Sequence, residues 1–132
     1  MSSKKALLTA FNNHFIEFVN DIASVFPDNK DIKLSKNVLI TLKSANARLI
    51  IRIWKEYVSD PYCEQIEKED ISFFIEKDYT SDVSYIESNG YIKKAIDRLR
   101  EPIRNMGSEN QEKSMKYIKN LTKLANLYFS SQ

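Results

Sequence analysis

The chain holds one histidine, His14, and one cysteine, Cys63. A zinc site of the H-E-x-x-H kind needs two imidazoles and is out of reach for a single copy. A Ser-His-Asp or Cys-His nucleophile would have to recruit His14. That residue stands beside Asn13 at the polar edge of an apolar stripe, and neither it nor Cys63 sits in a catalytic motif. A lone cysteine is more often a small apolar residue of the interior than a nucleophile. The two glycines, Gly90 and Gly107, are too far apart for a phosphate-cradling loop. The acids Glu64, Glu67, Glu69, Asp70, Glu76, Asp78 and Asp82 lack the alternating oxygen ligands around a central glycine that calcium requires. Nothing marks two of them as an acid–base pair, so they read as a solvated acidic surface. No residue is assigned to catalysis, to a cofactor or to a metal, and the chain reads as a protein that is not an enzyme.

Cations are the remaining chemistry. The net charge of +2 is too small to imply a nucleic-acid partner, but its layout is uneven. Residues 1–59 carry nine basic and five acidic side chains, residues 60–90 two and nine, and residues 91–132 nine and four. A basic–acidic–basic order of this kind either complements itself within the fold or steers an oppositely charged partner. Lys93, Arg100 and Arg104 fall on one helical stripe, interrupted by Asp97, and Lys116, Lys119 and Lys123 on another. Such stripes track phosphates. They carry no interleaved aromatics for stacking single strands and no helix-turn-helix signature, so nucleic-acid binding is the second reading.

The elements that position these groups are helices. Leu8, Phe11, Phe15, Phe18, Ile22 and Val25 recur at spacings of 3 and 4, with Ser3 as cap and Pro27 as stop. A second helix is expected from about Asp31 to Lys43 on the face of Val38, Leu39 and Leu42. A third follows an Asn46 cap and buries Leu49, Ile50, Ile53, Trp54, Tyr57 and Val58. Asp60-Pro61 reads as an N-cap with proline in the first turn of a short helix through about Lys68. Further short helices are expected after Asp70 and after Ser81. Ile92, Ile96, Leu99, Ile103 and Met106 define another helix, and Pro102 within it predicts a kink or an end near Glu101. Ser108 with Gln111 has the spacing of a capping box for a last helix on Ile118, Leu121, Ala125 and Tyr128.

These elements define an all-α bundle of about five to seven helices in one domain, residues 1–132, with the long helices at the two ends. No apolar run approaches the ~20 residues of a membrane span. The N-terminal stretch is not that of a secretion signal. The single cysteine fits a reducing compartment.

Five stretches together resemble a family of small helical proteins of nucleocytoplasmic large DNA viruses, those infecting algae and protists. They are Phe11-Asn12-Asn13, Phe26-Pro27-Asp28, Trp54-Lys55-Glu56-Tyr57-Val58 with Pro61-Tyr62, residues 70–79, and residues 109–118. The resemblance spans nearly the whole chain and brings no functional residues with it. It implies a viral protein of the virion or the host-cell cytoplasm. The leading expectation is thus a non-enzymatic interaction protein, a viral structural or assembly component that contacts other viral proteins or a second copy of itself. The candidate contact residues are Phe11, Phe15 and Phe18 on the first-helix stripe.

Overall fold

The computed structural model describes residues 3–72, 74 and 98–130. All regular elements among them are helical: α1 (Lys4–Val25), α2 (Lys30–Ala45), α3 (Leu49–Trp54), a π-helical turn (Lys55–Ser59), α4 (Cys63–Glu67), α5 (residues 98–104) and α6 (Ser108–Ser130). The protein is all-α, with its two long helices at the ends. The helices expected after Ser81 and from Ile92 to Asp97 lie outside the described residues.

The two end helices form the frame. Lys4 Nζ lies 4.8 Å above the Tyr128 ring, His14 is 4.8 Å from Tyr117, and Lys113 Nζ donates to Asp21 Oδ1 at 2.8 Å. Partners ascend along α1 as they descend along α6, so the pair is antiparallel. The α1 stripe fills the space between them, with Phe11, Phe15, Phe18 and Ile22 wholly buried. From the other side Ile118, Leu121 and Ala125 close the same core. Ser3 caps α1, its Oγ accepting from the Ala6 N–H at 3.0 Å, which satisfies a donor that no helical carbonyl can reach.

α1 stops at Val25, two residues before Pro27, and the chain reverses through Asn29, whose Oδ1 accepts from the Ile32 N–H at 3.1 Å. α2 then returns along α1. Asn12 on α1 holds the far end of that return, donating Nδ2 to the Ala47 carbonyl at 2.9 Å. α3 crosses between the long helices and inserts Trp54 among them. The indole packs edge-on to Phe15 with centroids 5.8 Å apart, and its Nε1–H donates to Thr122 Oγ1 at 3.2 Å. A buried tryptophan with its polar atom satisfied both fills volume and fixes register.

Three local readings change here. The helix expected to run through Val58 widens after Trp54. The Asp60 N–H donates to the Lys55 carbonyl, five residues back, at 3.0 Å. Pro61 has no N–H to continue that ladder, so the π turn ends there. Asp60 is therefore the C-cap of the π turn and not the N-cap of the next helix; its carboxylate accepts from Lys55 Nζ at 2.7 Å, and α4 starts at Cys63. Ser108 is likewise no capping box. Gly107 occupies the cap position and its carbonyl accepts from the Gln111 N–H at 3.0 Å. Gln111 Nε2 turns away to donate to the Ile103 and Arg104 carbonyls at 3.1 and 3.2 Å, closing the end of α5. Finally, of the two outcomes expected at Pro102, the end near Glu101 is not found, because α5 runs through Pro102 to residue 104. The proline is itself buried, and the carbonyl it leaves without a donor lies behind it, at Arg98.

α4 ends in a Schellman motif: Asp70 N–H donates to the Gln65 carbonyl and Glu69 N–H to the Ile66 carbonyl, at 2.9 and 3.1 Å. Glu69 takes the left-handed position, with φ of 55°, where glycine carries no steric penalty. Glu69→Gly is expected to stabilise the fold by up to about 1 kcal/mol, a rise of roughly 3 °C in Tm for a chain this size. A lowered Tm in a thermal melt would contradict that reading of the turn.

Candidate interaction surface

The candidate residues separate sharply by burial. Phe11, Phe15 and Phe18 are fully buried. Phe11 stacks on Phe15 with centroids 6.1 Å apart, and Phe18 on Tyr117 at 5.3 Å. They form the floor of the core and offer no surface to a partner, which corrects their reading as contact residues. A heptad-like stripe on one helix is satisfied equally well by its own chain's last helix, and that is the arrangement found.

The basic stripes divide too. Arg100 is only 5% exposed. Its Nη1 donates to the Phe74 carbonyl at 2.9 Å, and its guanidinium lies 4.1 Å above the Phe74 ring and 5.8 Å from that of Tyr57. It is a structural cation that ties α5 to the segment after α4 and to the π turn, and it is unavailable to phosphates. Arg104 is exposed, and Lys93 lies outside the described residues. Lys116, Lys119 and Lys123 are all exposed on one side of α6. That side also carries Glu109 and Glu112, and Lys119 Nζ sits 4.0 Å from Glu69 Oε1. Of the described members of the two stripes, Arg104 and the row Lys116, Lys119 and Lys123 stay exposed, the row preceded by two acids on its own helix.

Polar chemistry does not converge elsewhere. No three His, Cys, Asp or Glu side chains among the described residues come together as a metal site. His14 Nδ1 faces Glu17 at 3.5 Å and Cys63 is exposed on α4. Buried polar atoms without a partner among the described residues are Asn12 Oδ1, His14 Nε2, Ser35 Oγ and Ser59 Oγ. They belong to three different elements (α1, α2 and the π turn). Along the α1–α6 seam, burial first and the Asp21 carboxylate second push the Tyr117 hydroxyl above the ordinary tyrosine range. The hydrogen bond to Asp21 raises the Lys113 ammonium. At the start of the next segment, hydrogen bonds from the Ser72 hydroxyl and N–H lower the Asp70 carboxyl. Lys113 thus pairs across the α1–α6 seam, and Asp70 pairs with Ser72 two residues on.

A shallow cleft of about 370 Å³ opens between the end of α4 and the first two turns of α6. Met115 and Ile71 form its apolar part; Glu69, Glu112 and Lys116 stand around them. Two carboxylates and one ammonium, with Lys119 beside Glu69, leave it without a dominant sign.

Large apolar side chains stand exposed at two other places. Leu34 and Ile40 on α2 are 49% and 37% exposed, and Leu127 and Phe129 near the end of α6 are 46% and 39%. On α2 they accompany Lys30 and Lys33, which are exposed, and Lys36 and Lys43, which are half-buried. The sequence reading missed this face. Its signal was the 3,4,3 spacing of Lys33, Lys36, Ile40 and Lys43 beside a buried seam of Ile32, Ser35 and Leu39. No helix among the described residues is long and apolar enough to cross a membrane. Compared with family models, curated proteins and solved structures, the chain matches none.

Proposed function

We propose that the protein is a non-enzymatic interaction module, a viral structural or assembly-associated component that works through protein–protein contacts. The observation that carries this reading is that Leu34, Ile40, Leu127 and Phe129 are the large apolar side chains left exposed among the described residues. Exposed apolar side chains grouped on a surface favour a partner that removes them from water. The five stretches shared in texture with the viral helical family support the viral setting. Nucleic-acid binding is the weaker reading, because Arg100 is buried, Glu109 and Glu112 precede the α6 lysine row, and Glu69 stands 4.0 Å from Lys119.

The test is affinity purification of the tagged chain from its native cell or particle after nuclease treatment, followed by reconstitution from purified components. The expected result is one or a few proteins that rebuild a complex of defined stoichiometry by light scattering. Recovery of nucleic acid alone, lost on changing Lys116, Lys119 and Lys123 to Glu, would replace this reading with the other.

A further inference from the structure

We propose that α2 is a docking ledge for an acidic, amphipathic helical segment of a partner protein, an inference that rests on the interaction role above and names the chemistry of its partner. Lys33, Lys36, Ile40 and Lys43 share one stripe of the helix because they follow at spacings of 3, 4 and 3. Ile40 stands exposed with Lys36 one turn before it and Lys43 one turn after. Leu34 marks the other border of the exposed face, and Lys30 precedes it by one turn. α2 contains a single acid, Asp31.

Charge decides what the ledge accepts. Lys55, Lys113 and Lys119 each meet a carboxylate, on Asp60, Asp21 and Glu69 respectively. The four lysines of α2 enter no ion pair among the described residues, and neither do Lys4, Lys5, Lys68, Lys116 and Lys123; what sets α2 apart is four lysines against one acid on a single helix. Arg48 and Arg52, exposed just beyond its end, add to the same sign. A positive face of this kind favours an acidic partner and speeds its approach. The apolar residues then choose among acidic partners. α2 carries no aromatic residue on which bases could stack. Leu34 and Ile40 give nothing to a phosphate backbone, whereas they match the apolar anchors of a helix laid alongside. Sixteen residues span roughly 24 Å at 1.5 Å each, enough for about four turns of such a partner.

Fluorescence anisotropy with the full chain tests this. The probes are a designed acidic helix with leucines along one face flanked by glutamates, a scrambled peptide of identical composition, and duplex DNA. The designed helix is expected to bind about tenfold more tightly than the scrambled one, and more tightly than the DNA. Lys36→Glu with Lys43→Glu, and separately Ile40→Gln, are each expected to weaken it by about tenfold or more, with circular dichroism unchanged because these side chains touch solvent. Equal binding of the scrambled peptide, tighter binding of DNA, no binding at low salt, or indifference to these substitutions would overturn the ledge. Native partner proteins captured undiminished by the Lys36→Glu/Lys43→Glu chain would leave the interaction role standing and remove α2 as its site.

Discussion

Trp54→Ala is expected to cost about 3–5 kcal/mol, the range for emptying a large aromatic site in a packed core. That is most of the stability of an ordinary small domain. The indole touches both long helices: it packs against Phe11 and Phe15 of α1 and donates to Thr122 of α6. Truncation leaves a cavity where three elements meet and strands the Thr122 hydroxyl in the interior. Trp54→Phe keeps most of the volume and loses only the hydrogen bond, so it is expected to cost about 1–2 kcal/mol. Urea titration followed by circular dichroism separates the two. An alanine variant no weaker than the phenylalanine one would show that Trp54 is not the keystone of the core.

Arg100→Ala has the second largest expected effect, a loss of about 3 kcal/mol. Its guanidinium supplies a charged donor to a buried carbonyl, worth roughly 1.5–3 kcal/mol. It also lies over the Phe74 ring, a contact worth up to about 2 kcal/mol when desolvated. Arg100→Lys does not restore the stack, because a point-like ammonium lacks the planar fork that spans carbonyl and ring together. Arg104→Ala, four residues on and exposed, is expected to cost less than Arg100→Ala. Both arginines sit on the same basic stripe in sequence. Equal effects of the two alanine substitutions in a denaturant series would contradict the burial of Arg100.

The contrast between Arg100 and Arg104 shows where sequence reading stops. The pitch of α1 is legible because Phe11, Phe15, Phe18 and Ile22 are apolar at every step, and the caps at Ser3 and Pro27 have local physical causes. Which element covers a stripe is not local. The α1 phenylalanines look like an interface until α6 is seen to lie along them. Arg100 looks solvated until Phe74 and Tyr57, far away in sequence, are found against its guanidinium. Gln111 has the spacing of a capping box, yet the Ile103 and Arg104 carbonyls compete for its amide and win. Asp60-Pro61 carries an N-terminal signature, but the extra residue in the π turn displaces the start of α4 beyond it. The α2 face was overlooked for a related reason. Lysines on a helix are the usual solvated face, and those of α2 draw notice only beside the exposed Leu34 and Ile40.

The aromatic stripe of α1 is interior, and the proposed contact surface is α2. Hydrogen–deuterium exchange of the free chain, and of the chain in the complex purified from its native source, addresses both halves at once. The amides of α1 around Phe11–Phe18 should be protected already in the free chain and unchanged on binding. New protection should be confined to residues 30–45. Rapid exchange of the α1 core in the free chain would overturn the burial of the stripe, and protection gained at Lys116–Lys123 in place of α2 would move the contact surface to α6.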